Sequence, residues 1–280
     1  MRATLWGCRG SIASPGPETV RYGGNTPCVE VRPSEGPLIV LDAGTGIRRL
    51  GNSSDFGRVR EVHLLLTHLH IDHIEGLGFF SPLWTAEVEV SVWGPSSPVA
   101  SLADRIARYL SPPLFPVELK DIPAPITFRD VPEHEWEIGS VRLRGQPIAH
   151  PGPTVGYRVE EKGHSLAYLP DHEPALVGEL GSRPPEWLSG FSLAERVDVL
   201  LHDAQFTESE YASKVGWGHS SVAHAVEFAR RAEASRLVLF HHDPGRSDGD
   251  LDRLGEHARE LWGDSGEAPA PAFEGMRLEM

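Results

Sequence analysis

Short apolar or β-branched runs recur along the whole chain and set what it can fold into: Ala3 to Trp6, Cys28 to Val31, Leu38 to Leu41, Val62 to Leu66, Val88 to Val92, Val141 to Leu143, Val155 to Val159, Ser165 to Leu169, Val197 to Leu201 and Leu237 to Phe240. Several are continuous rather than alternating, the pattern of strands buried on both faces. Helix candidates lie between them. "SLADRIARYL" spaces Leu102, Ile106 and Leu110 along one stripe, and "SSVAHAVEFARRAEAS" repeats Val222, Ala225, Val226 and Ala229 behind serines suited to an N-cap. Strands mixed with helices in this order predict an α/β fold whose sheets carry helices on their outer faces. The proline-rich "SPPLFPVELKDIPAP" predicts an irregular surface loop, a candidate rim for a pocket. Without repeats, low-complexity tracts or a long linker, residues 1–280 read as one domain.

One run ends unusually. "VHLLL" leads into "THLHIDHI", which places His68, His70, Asp72 and His73 within a few positions. Burial penalises so many polar groups unless something binds them. Imidazole nitrogen and carboxylate oxygen are ligands that suit zinc, manganese or iron, and a strand end followed by a helix start can aim several at one point. The stretch therefore predicts a metal site.

Charge and cysteine content exclude other classes. Forty acidic residues against 26 basic ones give a net charge of -14, which repels a polyanion at long range and makes extended nucleic acid an unlikely partner. Cys8 and Cys28 are too few for a disulfide framework and read as buried thiols. No apolar run approaches the roughly 20 residues needed to cross a bilayer. The N-terminus lacks the pattern of a secretory signal, so a cytoplasmic protein without a membrane partner is expected.

The spacing His68-x-His70-x-Asp72-His73 resembles the signature of the metallo-β-lactamase superfamily. Later segments agree in order: "QPIAHPG" offers His150, "AYLPDHEP" offers Asp171, and "RLVLFHHDP" offers His241, with His242 as a rival one residue on. Upstream, "LIVLDAGTG" sets Asp42 where the superfamily has an aspartate that steadies the histidine loop. The resemblance implies a four-layer αββα sandwich and two divalent metal ions. His68, His70 and His150 would hold one, Asp72, His73 and His241 the other, and Asp171 would bridge them. Zinc is favoured, with manganese or iron as alternatives. His172 and Asp243 are equally readable as supports of the ligands or as plain loop residues.

Two late motifs resemble the ribonuclease Z branch. "LLHDAQFTESEY" is similar to its "HEATF" segment, with Asp203 in place of glutamate and Gln205 in place of threonine, and "GWGHSSVAHAVEFA" is similar to its "GHST" helix start. By that resemblance His219 lies over the metals, oriented by Asp203, and serves as general acid while the metals convert water to hydroxide and bind phosphoryl oxygens. Asp72, His219 and Asp203 are thus the candidate catalytic residues. A helix-capping network is the alternative role for Asp203 and His219, and His202 reads as structural.

True ribonuclease Z carries a long arm for transfer RNA between the positions equivalent to His150 and Asp171, whereas here only residues 151–170 intervene, enough for two strands and a turn. The chain is in this respect more similar to the armless relatives that hydrolyse small phosphodiesters, and that resemblance implies a small phosphodiester substrate such as a cyclic nucleotide or cyclic ribose phosphate. "GLGFFSPLW" offers Phe79, Phe80 and Trp84 as an aromatic wall for a flat group. Alternatives are hydrolysis of a thioester, lactone or β-lactam at the same metals, or a non-hydrolytic metal-site binding protein. A homo-oligomer is compatible with the resemblance, and no local motif sets its size.

Overall fold

The protein is described from a computed structural model, which covers residues 1–53, 56–57, 59–174, 180–263 and 266–280. The first sheet is built from β1 (Arg2–Gly7), β2 (Cys28–Arg32), β3 (Leu38–Leu41), β4 (Glu61–Leu65), β5 (Glu89–Gly94) and β6 (Ile126–Asp130). The second comprises β7 (Trp136–Ile138), β8 (Val141–Pro147), β9 (Val155–Glu161), β10 (His164–Leu169), β11 (Val199–Asp203), β12 (Arg236–Phe240) and β13 (Ala270–Pro271). A last strand, β14 (Arg277–Glu279), returns to the first sheet and pairs with β1. Spatial order is β14-β1-β2-β3-β4-β5-β6 in one sheet and β13-β12-β11-β10-β9-β8-β7 in the other.

Helices cover both outer faces: α1 (Gly46–Gly51), α2 (Ile71–Ile74) and α3 (Leu102–Ala107) beside the first sheet, α4 (Phe191–Ala194), α5 (Glu208–Tyr211), α6 (Val222–Arg231) and α7 (Asp248–Trp262) beside the second. Three apolar clusters separate the layers. Leu5, Val31, Ile39 and Leu41 meet Tyr157, Leu166, Leu201 and Phe240 between the sheets. Ile47, Leu50 and Ile106 pack on the outside of the first sheet, and Val226, Phe228, Leu251 and Trp262 on the outside of the second. This is the expected four-layer αββα sandwich of an α/β protein. The runs that lacked alternation are the strands with an apolar cluster on each side, so each buried leucine or valine contributes about 1.5–3 kcal/mol.

Differences from the sequence reading are local. α3 ends at Ala107, so Leu110 is buried from the turn beyond it rather than from the helix. β6, β7, β13, β14, α1 and α7 were not anticipated. The proline-rich segment holds a single short 3-10 turn, Leu119–Asp121, and borders a surface groove of about 490 Å³ that no candidate ligand lines. Residues 151–170 do form a hairpin: β9 and β10 pair antiparallel through Glu161 and His164, joined by Lys162 and Gly163, both at positive φ (52° and 86°). That two-residue turn matches the right-handed twist of the strands it joins. Among the described residues no helix is long and apolar enough to cross a membrane.

Candidate metal centre

Topology brings the candidate residues to one edge. β3, β4, β5 and β6 run parallel, as do β10, β11, β12 and β13, and β8 runs with β10 because both are antiparallel to β9. Carboxyl ends of parallel strands are where an open α/β sheet presents its loops to a ligand. Asp42 follows β3, His68 to His73 follow β4, His150 follows β8, Asp171 follows β10, Asp203 ends β11 and His241 follows β12. Within "THLHIDHI" the chain bends at Thr67 and His70 is extended as it enters α2, so His68 and His70 precede a helical turn that carries Asp72 and His73.

Two strand ends are strained. Asp42 and His241 both adopt a left-handed φ of 60°. Such a conformation costs on the order of 1–3 kcal/mol per residue and persists where neighbours enforce it. Gly10 leaves room for the His241 ring, since an added Cβ there would lie 2.4 Å from it. Gly218, at φ 89°, likewise leaves no room for a Cβ, which would lie 2.3 Å from His150 Nδ1.

The polar atoms converge in two groups that share Asp171: His68, His70, His150 and Asp171, and Asp72, His73, Asp171 and His241. In the first, His150 Nε2 is 3.1 Å from His70 Nδ1, and Asp171 Oδ2 is 3.7 Å from both His68 Nε2 and His150 Nε2. In the second, Asp171 Oδ1 is 3.0 Å from His73 Nε2 and 3.2 Å from His241 Nε2, while Asp72 Oδ2 lies 3.4 Å and 3.3 Å from the same nitrogens. Ligands about 2.1 Å from a tetrahedral zinc stand roughly 3.3 Å apart. His68 Nε2 is buried without a hydrogen bond in the protein, and the buried His73 Nε2 and Asp171 Oδ1 have only their 3.0 Å approach to each other and their approaches to the other ligand atoms, although the great majority of buried polar atoms have well-formed partners. Donor chemistry, spacing and orphaned atoms therefore all fit a pair of divalent cations. His70 is the exposed member, so the cluster opens to solvent on that side, as hydrolytic rather than closed structural sites do.

Behind the ligand atoms lies a buried support. The Asp42 carboxylate accepts from Thr67 N at 2.7 Å, Thr67 Oγ1 at 2.9 Å, His73 Nδ1 at 2.8 Å and Tyr168 Oη at 2.9 Å. Engaging Nδ1 of His73 turns its Nε2 toward the cluster. Thr67 Oγ1 also lies 3.1 Å from His68 Nδ1, which extends the support to a second ring. Burial opposes charge on His73, yet Asp171, Asp72 and Asp42 around it raise its pKa well above the ordinary range. Burial alone would likewise raise the Asp171 pKa, and the His241, His73 and His68 imidazoles hold it far below the usual carboxylate value. Such a field is matched to a concentrated positive charge.

His219 stacks on His241 at 5.0 Å between ring centroids and meets His150 edge-on at 5.1 Å, so it stands over the junction of the two groups. Its Nδ1 donates to Asp203 Oδ2 at 2.6 Å, and the other Asp203 oxygen accepts from Ser220 N at 2.9 Å and Gln205 N at 3.1 Å. Burial lowers the His219 pKa, but the Asp203 carboxylate outweighs it and brings the value to about 9.

Other candidates lie apart. His242 turns away and donates from Nε2 to Ala272 O at 2.9 Å. His172 pairs with His202 at 2.9 Å, both fully buried, and His172 N approaches Asp203. Asp243 caps its own turn through Gly245 N. Phe80 is core rather than wall, while Phe79 and Trp84 are 58% and 40% exposed and lean on Phe115. Sequence reasoning missed Thr67, Tyr168 and Ser11, whose N donates to Asp72 Oδ2 at 2.8 Å. It also passed over Glu173.

A family model described as a beta-lactamase superfamily domain matches residues 38–242, from β3 to the residue beyond His241. The chain belongs to the β-lactamase superfamily. It is a metal-dependent hydrolase of that superfamily, similar in sequence to proteins named ribonuclease Z. Among curated relatives, the ribonuclease Z of Thermococcus gammatolerans is 26% identical, with 78% of each chain covered. Among solved structures of the superfamily fold, the Zn(2+)-bound PqqB of Methylobacterium extorquens superposes with a TM-score of 0.70 at 16% identity, with 100% of both chains covered. A diphosphatase of the PhnP family gives 0.65 at 19% identity, covering 100% of this chain and 97% of the other.

Proposed function

We propose that the protein is a binuclear phosphodiesterase acting on a small phosphodiester, with cyclic nucleotides and cyclic ribose phosphates as first candidates. One observation carries this reading: an imidazole backed by a buried carboxylate, His219 on Asp203, stands over the junction of two cation-binding groups. In it, His68, His70 and His150 would hold one ion, Asp72, His73 and His241 the other, and Asp171 would serve both. Bound divalent ions, zinc first with manganese or iron as alternatives, supply Lewis-acid stabilisation of phosphoryl charge and acidify water to near neutrality. His219 carries a proton at Nε2, the nitrogen that Asp203 does not engage, and delivers it to the departing oxygen. Asp203 holds the ring in place through that step. A departing thiolate needs no such proton, so thioester opening at the same centre would give the pair no comparable task.

The name ribonuclease Z on the curated relatives supports phosphodiester chemistry and makes RNA the rival substrate. A two-residue turn between β9 and β10 and a net charge of -14 favour a small substrate instead. The test is a panel of bis(p-nitrophenyl) phosphate, cyclic mononucleotides, cyclic ribose phosphates, a structured RNA and a thioester, run with zinc and with manganese. His219→Ala is expected to keep two ions per chain and to lose about 10²–10⁴-fold in turnover of phosphodiesters with poor leaving groups. Faster turnover of the thioester, indifferent to that substitution, would overturn the reading.

A further inference from the structure

Glu173 has no task in the chemistry just described, yet its surroundings are specific. It is fully buried, directly beyond Asp171 and His172, and its backbone N donates to Ala149 O at 3.0 Å. Its carboxylate reaches into the loop that ends in His219: Oε1 accepts from Tyr211 Oη at 2.7 Å and Gly216 N at 2.9 Å, and Oε2 from Gly218 N at 2.8 Å. Gly218 then accepts, at its carbonyl, the Nδ1 proton of His150 at 2.9 Å. Among the described residues no cation pairs with Glu173. A buried carboxylate held only by neutral donors is costly to keep, so the donors it organises are the reason to look for a role.

Those donors can point inward because Gly216 and Gly218 adopt left-handed φ values of 86° and 89°. The loop has little apolar anchorage of its own, since Val215 and Trp217 are 51% and 60% exposed. Glu173 thus ties the segment before His150 through its backbone N and the loop before His219 through its carboxylate.

We propose that Glu173 is a positioning residue for proton delivery: it fixes the 211–218 loop so that His219 stands over the metal centre. This rests on the reading of His219 as the acid. In Glu173→Gln the amide keeps one accepting oxygen, and its NH₂ meets at least one of the Gly216 and Gly218 N–H groups, which can only donate, so part of the loop is released at nearly constant volume.

The experiment compares kcat for bis(p-nitrophenyl) phosphate, whose leaving group needs no proton, with kcat for diphenyl phosphate, whose leaving group benefits from one. Metal content is measured on the same zinc-loaded samples. Glu173→Gln is expected to lose about 10- to 100-fold on diphenyl phosphate, little on the nitrophenyl ester, and no metal. Tyr211→Phe, which removes one donor and nothing else, should move the same ratio less far and decides the matter if the glutamine variant does not fold. Equal losses on both substrates, or an unchanged ratio, would overturn the proposal. If His219→Ala itself leaves the ratio unchanged, the acid reading falls and this one with it. If His219→Ala raises the ratio and Glu173→Gln does not, only Glu173 loses its role.

Discussion

Asp42 shows what a single buried side chain is asked to do. Its carboxylate is fully enclosed, with donors from Thr67, His73 and Tyr168. Tyr168→Phe keeps the ring in the inter-sheet core and deletes one of those donors. The expected result is a loss of about 1–3 kcal/mol in urea unfolding and roughly tenfold weaker zinc binding, read by competition with a chromogenic chelator. An unchanged midpoint and affinity would show that the tyrosine is packing alone. Side chains of this kind were unequally legible in the sequence. His68, His70, Asp72 and His73 announced themselves by density, and His150, Asp171 and His241 only by resemblance. Tyr168 stands 126 positions from Asp42 and reads as an ordinary strand residue, and a lone glutamate at 173 reads as surface. Neither carries a local signal because its partners are assembled by topology.

Among elements, the inner strands were readable because burial on two faces makes them continuously apolar. The edge strands β13 and β14, two and three residues long, have no such run. α7 was missed although it is the longest helix among those described. "DGDLDRLGEHARELW" is rich in charge and holds two glycines, one of which, Gly255, lies where a Cβ would press on Pro271 at 2.9 Å. Its stability comes from Leu251, Leu254, Ala258 and Trp262 packed on the second sheet and from a capping box in which Ser247 Oγ accepts from Asp250 N. Ser247→Ala should cost about 1 kcal/mol and lower the thermal midpoint by a few degrees while zinc stoichiometry stays constant. A midpoint equal to that of the parent would mean that packing alone sets this helix boundary.

At the scale of the molecule, the centre joins the two sheets in addition to the apolar side chains packed between them. His68 to His73 belong to the first, and His150, Asp171 and His241 to the second. A cation bound to the native fold stabilises it by mass action, about 4 kcal/mol at a thousand times its dissociation constant. Chelation is therefore expected to lower the thermal midpoint, and added zinc to restore it, in calorimetry of the full chain. A chelated sample shown free of metal and melting unchanged would count against the ions contributing to stability.

Asp171 turns Oδ2 to one group and Oδ1 to the other. Its oxygens can serve both only while the sheets keep one offset, so slippage between layers would be felt at the centre before it was felt in the core. Cation affinity then becomes a ruler for inter-sheet alignment. Substitutions at Leu41, Tyr157 or Phe240 that leave the protein folded would be sorted by how far they detune the ions, even though none of these side chains is a candidate ligand.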